Sequence, residues 1–152
     1  MFEQLLPSRI DNTYRGYTVA LWLFGLVLFV KAGMGGNSII NSYHVASVAD
    51  GIPLQTFPPA AVQIVVYMFA SWGLAHVLLA LLGVLALVRY RAMVPLLFVV
   101  ILLEQAGRRA LHLFRPVPTV GTPRGVYVNL LLWTLMIAGV ALSFRYGRRE
   151  AA

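Results

Sequence analysis

The chain has 152 residues, 60% of them apolar and 11% charged, with a mean hydropathy of +0.80. That leaves too little polar surface to cover a soluble globule of this size, so the composition is that of a single integral membrane domain. The net charge of +7 comes from cations that flank apolar runs, where they act as topology signals and contacts for lipid headgroups and do not call for a nucleic-acid partner.

Cysteine is absent, which excludes disulfides, thiolate metal sites and cysteine nucleophiles. Residues 1–16 read as a lead-in at the membrane surface, with Phe2, Leu5, Leu6 and Ile10 able to touch lipid while Glu3, Arg9 and Arg15 stay wet. The first span is predicted over residues 15–34, with Lys31 snorkelling from its outer end. Lys31 also stands where the small residues of a signal-peptide cleavage site should be, so this segment reads as an uncleaved span. Residues 35–58 are predicted as an outer loop, in which Ile39, Ile40, Tyr43 and Ala46 are spaced for one side of a short interfacial helix.

The second span, residues 60–88, carries no formal charge apart from any proton on His76. As a helix it would be about 43 Å long, more than a hydrocarbon core of about 30 Å requires. Gly73, His76, Ala80 and Gly83 share an arc of about 80°, a small-residue patch that suits close helix approach and makes His76 face protein. Arg89, Tyr90 and Arg91 leave little room for a loop, so the second and third helices are predicted as a tight antiparallel hairpin. The third span covers residues 92–114, with Pro95 tolerated in its first turn. A Pro- and Gly-rich outer loop, 116–125, leads to a fourth span at 126–144 and then to a basic tail.

The third span changes character halfway. After Leu103, the residues Glu104, Gln105, Arg108, Arg109, His112 and Arg115 fall within one arc of about 140°, and apolar residues fill the rest of the circle. Such a face suits the wall of a polar cavity or an amphipathic end at the membrane surface.

Four spans place both termini on one side, and the seven-to-five division of cations favours a cytoplasmic side for them. Counted from that boundary at 1.5 Å per residue, His76 lies about 18 Å in, Glu104 about 16 Å, and Lys31, Arg108 and Asn129 roughly 21–23 Å. An acid at that depth must be paired, protonated or wet, and Arg108, one turn along, is the nearest partner for Glu104. Three roles stay open for the face. It forms a structural ion pair with Gln105 and Asn129 as interhelical bonds, it binds a ligand or handles protons with His76, or it lies at the interface. The ligand reading takes His76, Glu104, Gln105, Arg108, Arg109, His112, Lys31 and Asn129 as the lining of an outward-opening pocket. No zinc, phosphate-loop, Rossmann or Ser-triad spacing occurs, and two-histidine haem ligation is disfavoured by the unequal depths of His76 and His112.

A first helix ending in FVKAG, a loop, a hairpin carrying LLALLGVLALVRYRA and a fourth closing helix resemble the DoxX-like group of small four-helix bacterial membrane proteins. The resemblance implies a multi-pass protein of the bacterial inner membrane, linked to quinone-dependent oxidation as a subunit or partner of a redox complex. In this sequence His76 is the one ionisable group near the midplane of the second helix, and no catalytic residue is carried over. The expectation is therefore an all-α four-helix membrane bundle. Its function would be that of a non-enzymatic accessory or binding subunit holding a lipid or quinone, with other membrane subunits or a second copy as partners. The alternative is a small intramembrane enzyme that uses Glu104 and His76 on a lipid-like or quinol substrate.

Overall fold

The computed structural model describes residues 5–7 and 9–145. Phe2 and Glu3 of the lead-in, and Tyr146, Arg148 and Arg149 of the basic tail, lie outside the described residues. Among those described, all regular structure is helical, with four long elements: α1 (Thr18–Ile40), α2 (Pro59–Arg89), α3 (Val94–Phe114) and α4 (Gly125–Phe144). Three of them, α1, α2 and α4, are long and apolar enough to cross a membrane. The fourth, α3, is of similar length, but its second half carries Glu104, Arg108 and Arg109. Proline marks two of the starts: Pro59 and Pro95 stand in the first turns of α2 and α3, where a missing N–H has no intrahelical partner to lose.

Most of the apolar surface stays outside the fold. Trp22 is 78% exposed and Phe29 77%, a pattern that water would penalise at about 25 cal/mol per Å² and that hydrocarbon does not.

The helices pair in the order α2, α1, α4, α3, and neighbours run antiparallel. The α1–α2 contact rests on glycine. A Cβ on Gly73 would stand 2.6 Å from the carbonyl oxygen of Gly35 and 2.8 Å from Ser38 Cβ, and one on Gly35 would stand 2.7 Å from the carbonyl of Gly73. Backbone therefore meets backbone there, and further along Gly83 leaves room for Leu28. The small-residue patch on α2 is thus filled by α1. On the other pair Gly139 of α4 cradles the Phe98 ring, which also packs against Phe24 at a centroid distance of 4.7 Å. Around these rings the core is completed by Val27, Leu28, Ala86, Val94, Leu97, Ile101, Leu132 and Met136.

Residues 35–40 continue α1 instead of beginning a loop. The run Gly33, Gly35, Gly36 reads as a break in the sequence, but the close approach of Gly35 to Gly73 offsets the backbone entropy those glycines cost. Beyond Asn41 a helical turn, Ser42–His44, passes into a single π-helical stretch, Val45–Ala49, and then a 3-10 turn, Leu54–Thr56. Ile39, Ile40 and Tyr43 are exposed while Ala46 is fully buried, so these four do not make one face of an interfacial helix.

Both ends of the molecule are tied across helix pairs. At the end bearing the two longer loops, Val120 N–H donates to the Gly51 carbonyl at 2.8 Å, and Gly51 takes the left-handed φ of 72° that only glycine adopts cheaply. At the end bearing the termini, Ala92 N–H donates to the Asp11 carbonyl at 3.3 Å and Tyr17 N–H to the Leu142 carbonyl at 3.3 Å. Tyr14 and Ser143 exchange a hydroxyl bond of 3.0 Å beside them.

Gly73→Ala is expected to destabilise the protein by about 1–3 kcal/mol through overpacking of the α1–α2 crossing. Gly107→Ala, where a Cβ meets nothing within 4 Å, is expected to be neutral or stabilising by up to about 1 kcal/mol. Thermal unfolding followed by helical circular dichroism in detergent checks both.

Candidate functional site

Lys31 does not snorkel. It is 2% exposed and lies between helices. The reason is that α1 runs on well past it to Ile40, so no helix end is near. Lys31 lies about one turn beyond Glu104 by residue count, and a helical side chain leans back toward its own N-terminus. Lean and length together bring the ammonium down to the level of Glu104 and Gln105.

There it meets three acceptors: Glu104 Oε2 at 2.6 Å, Gln105 Oε1 at 3.2 Å and His76 Nε2 at 3.2 Å. An ammonium has three N–H donors, so its capacity is filled. His76 Nδ1 lies 3.1 Å from the Trp72 carbonyl, which can only accept. The network therefore assigns the proton to Nδ1 and leaves Nε2 as acceptor, the neutral imidazole. Glu104 Oε1 is 3.7 Å from His76 Nε2, and with the ring neutral this is proximity without an ion pair.

The second cation is Arg108. Its Nε stands 2.6 Å from Glu104 Oε1, the i,i+4 pairing expected from spacing. The Nε–H does not point along that line, so the contact is a close ion pair and that donor makes no aligned hydrogen bond. Arg108 also donates to Gln105 Oε1, and its guanidinium carbon lies 4.6 Å from the centre of the Trp72 ring, a cation–π distance. Trp72 in turn stands edge-on to His76 at 4.9 Å. Gln105, 4% exposed, passes the network on: its Nε2 donates to Asn129 Oδ1 at 2.7 Å. One connected set of polar groups therefore joins all four helices.

Six of the eight residues singled out in the sequence come together here: Lys31, His76, Glu104, Gln105, Arg108 and Asn129. Arg109 and His112 do not. Both are exposed, because from Arg109 to Phe114 every residue of α3 is exposed and the helix end stands clear of its neighbours. Trp72 is the member that sequence reasoning missed. Its signal was the spacing of four residues to His76, which stacks the two on one face of α2.

Glu104 and Arg108 form the open edge of the cluster, each with 28% of its side chain exposed. With His76 neutral, two cations face one carboxylate. Arg108 keeps N–H donors free of hydrogen bonds within the cluster, so the edge can take an acceptor oxygen such as a carbonyl or a carboxylate. On the loop side, burial pushes the Asp50 carboxyl up from the ordinary carboxylate range, against the opposing pull of the Arg108 and His112 charges. Among the described residues no group of three or more His, Cys, Asp or Glu is placed to hold a metal ion. No family model, no curated protein and no solved structure matches the chain.

Lys31→Met is expected to cost about 3 kcal/mol, the lower end of the range for removing one partner of a buried pair, since Glu104 keeps Arg108 and some solvent. Adding Glu104→Gln to that variant leaves Arg108 without its carboxylate, and is expected to cost less than Glu104→Gln in the wild type, where two cations lose their partner. Detergent melting curves of the two single variants and the double variant decide, and an equal cost of Glu104→Gln in both backgrounds would show that Lys31 acts through packing alone.

Proposed function

We propose that this chain is a small membrane protein of the bacterial inner membrane whose four helices form one transmembrane bundle, with α3 as a span and both termini cytoplasmic. Its function, in this reading, is to hold a lipid- or quinone-like ligand at the half-open Glu104–Arg108 edge without transforming it. The observation that carries the reading is the division of labour between the two cations. Lys31 is saturated by protein acceptors and fixes the helices, whereas Arg108 lies on the edge with donors to spare.

The DoxX-like layout supports placing such a protein beside quinone-linked redox machinery, as an accessory subunit or a homo-oligomer. The small-residue patch gives no support to partner docking, since α1 occupies it. The enzymatic reading has less behind it: a general base needs a free lone pair, and both nitrogens of His76 are engaged.

Purified in mild detergent, extracted and analysed by mass spectrometry, the wild-type protein is expected to carry lipid or quinone, and Arg108→Gln to carry about tenfold less, the equivalent of one lost charge-assisted hydrogen bond of about 1.4 kcal/mol. Unchanged retention per folded molecule, with a lowered melting temperature, would reduce the cluster to a structural tie. For orientation, single cysteines replacing the exposed His44 and Thr119, and Ala152, are expected to react with an impermeant thiol reagent in intact cells at the first two positions only. Reaction at the third alone would invert the topology.

A further inference from the structure

The connection between α2 and α3 is as short as the sequence implies, a 3-10 turn over Arg91–Met93. Even so the two helices barely touch, since α2 packs on α1 and α3 on α4. Their inner faces leave a groove of about 410 Å³ lined by Leu82, Leu85 and Ala86 of α2 and by Met93 and Leu97 on the α3 side. Ile10 and Tyr90 close it at the end that bears the termini. Its lining is apolar apart from the Tyr90 hydroxyl.

The groove leads toward the polar cluster. On α3, Leu97, Glu104 and Arg108 lie within about 20° of a common direction, and on α2, Trp72, Leu79, Leu82 and Ala86 lie within about 80°. From Met93 to Glu104 the path is about 16 Å at helical rise. The groove lining itself stops at Leu82 and Leu97, and the seam beyond it is bridged from α2 to α3 by the Trp72–Arg108 contact. Beyond the cluster, the bond between Val120 and Gly51 ties the two loops across that end of the molecule, while the side of the groove stays open.

We infer that the α2–α3 groove holds the hydrocarbon chain of a single-chain amphiphile whose acceptor oxygen reaches Arg108 beside Glu104, and that this ligand enters sideways from the membrane and not from the aqueous loop side. The inference rests on the ligand reading above and narrows it. A volume of this size belongs at the small end of ligand cavities of about 300–1,000 Å³, enough for one chain and short of a two-chain phospholipid. The head is matched by charge, since two cations and one carboxylate in the cluster leave a positive excess for a carboxylate or a carbonyl oxygen at the Arg108 edge.

The test uses the full chain in lipid nanodiscs with two photoreactive probes, a long-chain fatty acid and a prenylated quinone, each carrying a diazirine along its chain. After irradiation, labelled residues are located by proteolysis and mass spectrometry. Label from one probe is expected on Leu82, Leu85, Ala86, Met93 or Leu97, and the probe that labels identifies the head. Ala86→Phe, which fills the groove, is expected to cut that labelling about tenfold. Leu85→Trp, at a 48% exposed position where folding is spared, is expected to cut it as well. Label spread evenly over lipid-facing residues such as Trp22, Phe29 and Leu130 overturns the proposal, as does groove labelling that neither variant reduces. The two readings fail separately. If Arg108→Gln lowers ligand retention while the groove stays unlabelled, the groove is lost and the edge site stands. If retention ignores Arg108→Gln, the edge site itself is lost.

Discussion

The rest of the structure depends on one ammonium group. Burying a charge without a partner costs several kcal/mol, and Lys31, 2% exposed, has no helix end through which to escape. Its three donors find an oxygen on each of two successive residues of α3 and a ring nitrogen on α2. Those three acceptors converge from two helices on a group carried by a third, so they coincide at one point for a single register of α1, α2 and α3. Gln105 extends the constraint to α4 through Asn129. Apolar packing alone specifies such a register weakly, because in a lipid-like setting one greasy helix face resembles another. The glycine contact between α1 and α2 sets the spacing, and the ammonium sets the alignment.

How much of this was legible in the sequence follows from what each inference needed. Apolar runs bounded by Pro and Arg were enough for the helices, because run length and breakers act locally. Spacing was enough for the Glu104–Arg108 pair, because both lie on one helix and its geometry is fixed. The contact of Gln105 with Asn129 was also within reach, as a pairing of the few amide groups that apolar helices offer.

The partner of Lys31 was not within reach in the same way. Depth counted from Cα positions put it above Glu104, and that count omits a side chain long enough to cover one helical turn. The glycines of α1 misled for a related reason. Gly33, Gly35 and Gly36 carry the same local signal whether they end a helix or let another backbone approach, and only the position of Gly73 on α2 separates the two cases. His112 shows the limit of angular reasoning. It shares an arc with Gln105, yet it is exposed, because a helical wheel does not say where the neighbouring helices stop.

The pairing of the helices has a mechanical consequence. Two antiparallel pairs, α1 with α2 and α3 with α4, are joined along the α1–α4 contact much as two boards are joined along a spine, and the α2–α3 side is the free margin. Packed interiors resist compression and shear more than they resist rotation of whole elements. The softest deformation available to this molecule is therefore a swing of one pair against the other about that spine. The bonds from Val120 to Gly51 at one end and from Ala92 to Asp11 at the other sit like two clasps on the swing, and the Trp72–Arg108 contact spans the margin between them. Pinned in this way, the molecule would have to open along its flank, since its two ends are held shut.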